Sequence, residues 1–378
     1  MEFFIETQEL QKIVNQLGVS AKANATDNSG RILVEVSKSE GVLFTVVGPS
    51  TSLTIVAEKV DIMEEGSVAL LYSKLKSSIN PFISWDGETG TKGFQFKLTG
   101  SDLIVKVKTV HIGGKASSGR IKFDTFQTYT IAKPAAFNDA TFTLNSNMLK
   151  TAIGKVLYSI NPAESRIPLR GMCLTFSDNK IAFAGTDGMR LSEYITDNTT
   201  KISEGTYIIS HDYIMGIRRL LSEETHIAFA INDGKIATKF DNITYWGKLI
   251  IGHDYPIYEK EFAKFNHTLL INKEVLMNSL RPFMGILNAE DHNRLTLDIN
   301  DHKLTLYNDY ANFVCAEELE VDANLSIDLN GVFIAQTIDA INDDKLLLKF
   351  SNAKGSLIID GGTFGDQKSL VTYIEKRT

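Results

Sequence analysis

The stretch GTDGMRLSEY, from Gly185 to Tyr194, places a carboxylate (Asp187), a glycine and a guanidinium (Arg190) close together. A carboxylate and a guanidinium held across a glycine turn can orient a polar ligand. Nucleophilic or acid–base catalysis also needs a nucleophile or a base, and none stands nearby in sequence. GGKASSG, from Gly113, looks like a phosphate loop. It lacks the G-x-x-x-x-G-K-[ST] spacing and does not lead into a helix. GETGTKG, from Gly87, reads as a turn between strands. G-x-S-x-G, H-E-x-x-H and paired C-x-x-C are all missing. His111, His253 and His292 have no metal-spaced companions, and Asp343 with Asp344 reads as a solvated turn. The expectation is a protein that binds rather than catalyses, with no metal or cofactor.

Composition narrows the class. A chain of 378 residues is too long for one ordinary core and predicts two or three domains. Hydrophobic content of 43% with 22% charged residues is that of a soluble globular protein. Cys173 and Cys315 lie in strand-like runs and read as buried small hydrophobes in a reducing compartment. No apolar run approaches the roughly 18 residues of a membrane helix, and the acidic start MEFFIETQELQ lacks the basic region of a secretory signal. A cytoplasmic protein with no membrane partner is expected. The net charge of −7 argues by itself against nucleic-acid binding, so the distribution of charge decides.

Internal repetition supplies the elements. Six segments read as alternating strand, polar turn, alternating strand: from Gly30, Gly93, Gly171, His226, Arg294 and Leu346. Each follows a stretch of helical periodicity, starting at Thr7, Ser73, Ser146, Ser210, Asn272 and Asn330, with Ser, Thr or Asn near the N-cap of most of them. Short strands such as FFIE, ATFTL, TYIIS, TLLIN and LSIDL precede most of the helices. The fold class is α+β. Its unit is strand, helix and hairpin, too small to bury both of its faces alone. Paired units give three similar domains at residues 1–137, 138–264 and 265–378. Any α+β chain of this length contains some hairpins, but here both spacing and order recur.

Charge follows the elements. The helical segments carry Lys12, Lys74, Lys76, Lys150, Lys155, Arg218, Arg219, Lys273 and Arg281, against only Glu9, Asp212, Glu274 and Asp339. If the helices share one surface, that surface is positive on a negative body. The alternative is that Lys and Arg are simply good helix formers on solvated faces, although the equally good Glu is scarce. On the strands, Lys106, Lys108, Arg120 and Lys122 form a basic end of the first domain. Glu317, Glu318 and Glu320 form an acidic end of the third. Opposite ends suit head-to-tail association; ordinary surface charge is the other reading.

Taken together, RGMCLTFSDNKIAFAGTDGMRLSEY from Arg170, IISHDYIMGIRRLL from Ile208, GKLIIGHDYPIYEKEF from Gly247 and FMGILNAEDHNRLTLDINDHKLTLY from Phe283 resemble the bacterial β sliding clamp family. The resemblance covers most of the chain. It is strongest from about Ala140 to Leu306 and weak across residues 20–130. It implies a DNA clamp fold with antiparallel sheets outside and helices inside. It also implies a head-to-tail homodimeric ring around double-stranded DNA, and a partner-peptide groove used by the replicative DNA polymerase and the clamp loader. Carried over by position, the groove would involve Arg166, Leu169, Thr186, Gly188, Met189, Arg190, Leu191, Pro256 and Lys260, with Ile374 and Arg377 from the tail. The cationic helix residues, with Lys22 as a further candidate, would face DNA, and Ile286 and Leu287 would join the subunit interface. The chain departs from the family at Met189, where histidine is common, in its YIEKRT tail, and in AKANATDNSG, where the family has a Pro-rich loop. A repeat scaffold that never encircles DNA is the rival reading, and a ring with a different number of subunits is another.

Overall fold

The computed structural model describes residues 1–21, 28–83, 90–110, 116–128, 131, 134, 136–137, 139–177, 179–198, 202–221, 225–316, 319, 324–351, 355–361 and 366–374. Among them one motif recurs six times: a leader strand, a helix, then a three-strand meander. The first comprises β1 (Glu2–Glu6), α1 (Thr7–Leu17), β2 (Arg31–Ser37), β3 (Gly41–Val47) and β4 (Ser52–Ala57), with an additional strand β5 (Val60–Glu64) after it. The second is β6 (Gly66–Leu71), α2 (Tyr72–Ile83), β7 (Gly90–Thr99), β8 (Asp102–Val110) and β9 (Ala116–Phe123). The third is β10 (Phe142–Asn145), α3 (Ser146–Val156), β11 (Gly171–Phe176), β12 (Lys180–Thr186) and β13 (Arg190–Asp197). The fourth is β14 (Gly205–Ser210), α4 (His211–Leu220), β15 (His226–Asn232), β16 (Lys235–Phe240) and β17 (Ile243–Lys248). The fifth is β18 (His267–Asn272), α5 (Lys273–Met284), β19 (Arg294–Asn300), β20 (Lys303–Tyr307) and β21 (Asn312–Ala316). The sixth is β22 (Leu325–Asn330), α6 (Gly331–Ala340), β23 (Lys345–Phe350), β24 (Leu357–Gly361) and β25 (Gln367–Val371). The expected hairpins are therefore meanders, each one strand longer than its two-strand signal.

Local chemistry explains the elements. Leu10, Ile13, Val14 and Leu17 of α1 recur at helical spacing and are buried. Asn272 caps α5 by accepting the N–H groups of Glu274 (2.8 Å) and Val275 (3.2 Å). Asn330 caps α6 through Phe333 N (3.0 Å). In the β15–β16 turn, Asp233 and Gly234 both take positive φ (49° and 70°), which matches the twist of a tight hairpin.

Leader strands do not join their own meanders. β1 pairs with β7 and β6 with β2. β10 pairs with β15 and β14 with β11. β18 pairs with β23 and β22 with β19. Neighbouring motifs thus exchange their first strands, and neither can complete a sheet without the other.

The chain forms two compact units, Met1–Asn147 with Asp212–Leu249, and Met148–His211 with Ile250–Thr378. The first unit holds a five-stranded sheet, β5-β1-β7-β8-β9, and an eight-stranded sheet, β10-β15-β16-β17-β4-β3-β2-β6. The eight strands are two sets of four joined at β17–β4, where Ile243 faces Ile55 and Trp246 faces Ser52. Its core includes Phe3 stacked on Phe96 (4.8 Å between ring centres) and Tyr213 of α4 stacked on Tyr245 (4.8 Å). The second unit holds the eight-stranded β14-β11-β12-β13-β25-β24-β23-β18, joined at β13–β25, and the four-stranded β21-β20-β19-β22. There Leu276, Leu280 and Phe283 of α5 and Ile334 and Ile338 of α6 pack into a cluster with Leu297, Ile327, Leu348 and Ile359. No described helix is long and apolar enough to cross a membrane.

Candidate functional site

The GTDGMRL run ends β12 and opens β13. Thr186 Oγ1 donates to Arg190 O (2.6 Å) and accepts the Gly188 N–H (3.0 Å). Asp187 Oδ1 accepts the N–H groups of Met189 and Arg190, each at 3.0 Å, while Oδ2 accepts Arg190 Nε at 3.0 Å. Gly188 has φ +83°, and a Cβ there would run into the Arg166 guanidinium. Arg166 Nη2 donates to Asp187 O (3.0 Å) and its Nε to Glu164 Oε1 (2.9 Å). That hydrogen bond holds the Glu164 carboxyl down at about 2. The Arg190 guanidinium lies 4.0 Å over the Phe333 ring, 5.6 Å from the Tyr158 ring, and donates to Gln336. Both charged groups of the run are therefore committed to holding the turn.

Met189 is thrust outward, 55% exposed. Its carbonyl accepts both the N–H and the hydroxyl of Thr372, each at 2.9 Å. Beyond Thr372, the half-buried Ile374 donates its N–H to Asp328 O (2.7 Å). Leu169 and Leu191 are buried, at 1% and 5% exposure. Leu191 packs with Tyr258, Phe262, Ile358 and Leu370. Pro256 and Lys260 lie exposed on the segment that carries Tyr258 and Phe262. Hydrogen bonds and strand pairing therefore bring Arg166, Thr186, Gly188, Met189 and Arg190 together with the chain leading to Ile374. Leu191 ties β13 to the segment that bears Pro256 and Lys260. Arg377 lies outside the described residues.

Several neighbours carried no sequence signal. Phe333 and Gln336 of α6 hold Arg190 from more than 140 positions away, and Tyr258 Oη donates to Glu193 Oε1 at 2.9 Å. Burial pushes the Glu193 carboxyl above its ordinary range. Ile257, 81% exposed, stood in plain view between Pro256 and Tyr258. Burial also pushes the Cys173 thiol up to about 11, in keeping with a packed, unreactive sulfur.

Among the helix cations, Lys12, Lys74, Lys76, Arg218, Arg219 and Arg281 are exposed and Lys150 is half-buried. Lys155 corrects the expectation. It is 7% exposed, ion-paired with Asp366 at 3.2 Å, and 4.7 Å from the Tyr194 ring. Desolvated and paired in this way, it cannot reach a phosphate. Lys273 is half-buried with its ammonium donated to Ile341 O. Lys22 lies outside the described residues.

Of the expected interface residues, Lys106 on β8 stands directly opposite Arg120 on β9. Lys122 on β9 pairs with Asp102 at 2.8 Å. Lys108 lies on β8, its side chain outside the described set. Ile286 is exposed and Leu287 packs partly into the core of the second unit. Glu317, Glu318 and Glu320 lie outside the described residues. On edge strand β21, Phe313 and Val314 are exposed, an apolar patch that sequence reading missed. The signal was there: NFVCA is apolar on both faces of one strand.

Residues 143–256 match the family model described as the DNA polymerase III beta subunit, central domain. The chain is similar to a beta sliding clamp from Buchnera aphidicola subsp. Rhopalosiphum padi, 27% identical over 240 residues, a match covering 62% of this chain and 64% of the relative's length. It is also similar to a beta sliding clamp from Chlamydia muridarum, 24% identical over 306 residues, 77% of this chain and 76% of the relative. Among solved structures, the DNA polymerase sliding clamp from Bacillus subtilis superimposes with a TM-score of 0.87 at 13% identity, and the DNA polymerase III subunit beta from Pseudomonas aeruginosa with 0.85 at 18%, each covering both chains completely. At such identities these two establish the fold. With the motif arrangement, the matched central domain and the curated relatives, they make this chain similar to the bacterial β sliding clamps, at low identity.

Proposed function

We propose that the chain is a DNA sliding clamp, closing head-to-tail with a second copy around duplex DNA and tethering the replicative polymerase for processive synthesis in the cytoplasm. One observation carries the ring. Both eight-stranded sheets join two sets of four through the third strands of their meanders, β4 to β17 and β13 to β25. Among the described strands, the third strands β9 and β21 have no such partner. Pairing β21 of one copy with β9 of the next would repeat the same seam. It would bring Ile286, Leu287, Phe313 and Val314 against the strand bearing Arg120 and Lys122, with Lys106 and Lys108 on the strand behind it.

The physics of the task fits a ring. Sequence-independent phosphate contacts alone give a Kd of about 10⁻⁴–10⁻⁶ M at physiological salt. A closed ring replaces affinity with topology, so its DNA contacts need only be weak and blind to sequence. Exposed Lys12, Lys74, Lys76, Arg218, Arg219 and Arg281, with Lys150, meet that need. The turn around Met189 is the groove where polymerase and loader insert an extended linear motif, apolar anchor first. Arg166 and the Thr186–Leu191 run form its rigid side, Pro256 and Lys260 the facing segment, and Ile374 the tail side, above a floor of Leu169.

Mass in solution, measured together with retention on circular and linear DNA, tests this. A dimer that stays on the circle and is lost from the linear form is expected. A chain that never closes, or that is retained equally on both, fits the non-encircling scaffold instead.

A further inference from the structure

We propose that Glu193 is a positioning residue for the partner peptide: by accepting the Tyr258 hydroxyl it fixes Pro256 and Lys260 in register on the sheet, a role that rests on the groove proposed above. Glu193 lies on the face of the second unit's eight-stranded sheet covered by the segment from Tyr255 to Phe265. Two rows of side chains cross that face at the β13–β25 joint. In one, Thr186, Leu191, Leu370 and Ile358 stand opposite one another on β12, β13, β25 and β24. In the next, Cys173 on β11 is followed by Ala184, Glu193, Lys368 and Asp360 on the same four strands. Tyr258 and Phe262 pack on the aliphatic row. Hydrophobic packing has no direction, and by itself it would let the segment slide along that row.

The bond from Tyr258 Oη to Glu193 Oε1, at 2.9 Å, supplies the direction. Tyr258 carries its neighbours with it. Its ring meets Tyr255 (6.2 Å between ring centres) and Phe262 (6.3 Å) edge-on. Its carbonyl accepts the Glu261 N–H (2.9 Å), closing the turn that carries Lys260. Pro256 stands two residues before it, with φ held by its ring. Stability alone does not call for an acid here. Glu193 is 6% exposed, and burial pushes its carboxyl above the ordinary range. Asp360, in the same row, is ion-paired with Lys349. Half-buried Lys368 stands between the two acids, and Glu259 on the covering segment adds a like charge. An apolar side chain would pack beside Ala184 and Leu191 without that desolvation cost. What the acid adds is an acceptor for Tyr258.

The test uses dodecapeptides selected by phage display on the full-length chain and counter-selected on Met189→Glu. Affinities are read by fluorescence anisotropy, well below each variant's melting transition. Glu193→Leu and Tyr258→Phe should each weaken binding by about three- to tenfold, the weight of one hydrogen bond. The double variant should be no weaker than either single one. Glu193→Gln, which keeps an oxygen for Tyr258, should hold the wild-type affinity. Unchanged affinity in Tyr258→Phe overturns the proposal. So do additive losses in the double variant, or a loss in Glu193→Gln equal to that in Glu193→Leu. Each of these leaves the groove standing. Finding no peptide that Met189→Glu releases overturns the groove, and this role with it.

Discussion

Asp187 grips Arg190 at both ends: Oδ1 takes its backbone N–H and Oδ2 its Nε, each at 3.0 Å. Both side chains are nearly buried, at 9% and 11% exposure. Asp187→Ala leaves the guanidinium without its carboxylate and should cost about 3 kcal/mol, read by urea denaturation of the full chain. Asp187→Asn keeps an acceptor for the backbone bonds and should cost less.

Groove binding is tested most cleanly at Met189. Leu191 is core, so Leu191→Ala would cost roughly 2–5 kcal/mol and confuse affinity with unfolding. Met189→Glu alone leaves the fold intact, because the side chain is exposed. Titration with a polymerase-derived linear peptide should show its affinity falling by about tenfold or more with an unchanged melting temperature.

The proposed cation contacts with DNA separate by burial. Arg218→Glu/Arg219→Glu should flatten the log–log salt dependence of DNA binding by about two while dimerisation survives. Lys155→Met should lower the melting temperature through loss of the Asp366 pair and leave that salt slope unchanged.

In the proposed ring, closure rests on an edge strand. Val314 is 51% exposed on β21. Val314→Lys would set a cation against the basic strand proposed to pair there. Sedimentation equilibrium should show the dimer dissociation constant rising by about tenfold or more, with the monomer still folded.

Glu193 has a pH signature. Burial raises its carboxyl in the folded state, so its contribution is favourable below its unfolded value and is lost as pH rises through the folded one. Glu193→Gln keeps an oxygen for Tyr258 and removes the buried charge. It should raise the melting temperature by about 2 °C at pH 7, and the gain should vanish near pH 3, well below the ordinary glutamate value of about 4.3, where Glu193 is protonated in both states.

Much of this molecule was legible because its signals are local. Helical spacing in TQELQKIVNQL and turn chemistry in INDGK need only neighbouring residues, and the six motifs followed from them. The third meander strands were harder. RLSEYITD of β13 buries Ser192 and Glu193 beside Leu191, so alternation of apolar and polar residues broke down where the sheet is covered on both faces. Leader exchange was illegible, because pairing between Leu144 and Ile227 leaves no mark on either segment. Lys155 misled for the same reason: its helix reads as cationic, and its partner Asp366 lies 211 positions away.

Leader exchange also sets a timetable for synthesis. His267 on β18 finds its sheet neighbour only at Phe350, more than eighty residues downstream. At about 5–20 residues per second, several seconds pass between a leader strand leaving the ribosome and the appearance of the strand it needs. During that interval its backbone groups stand open to any passing β edge, so nascent copies crowded on one messenger are the setting in which this fold is most exposed to mispairing.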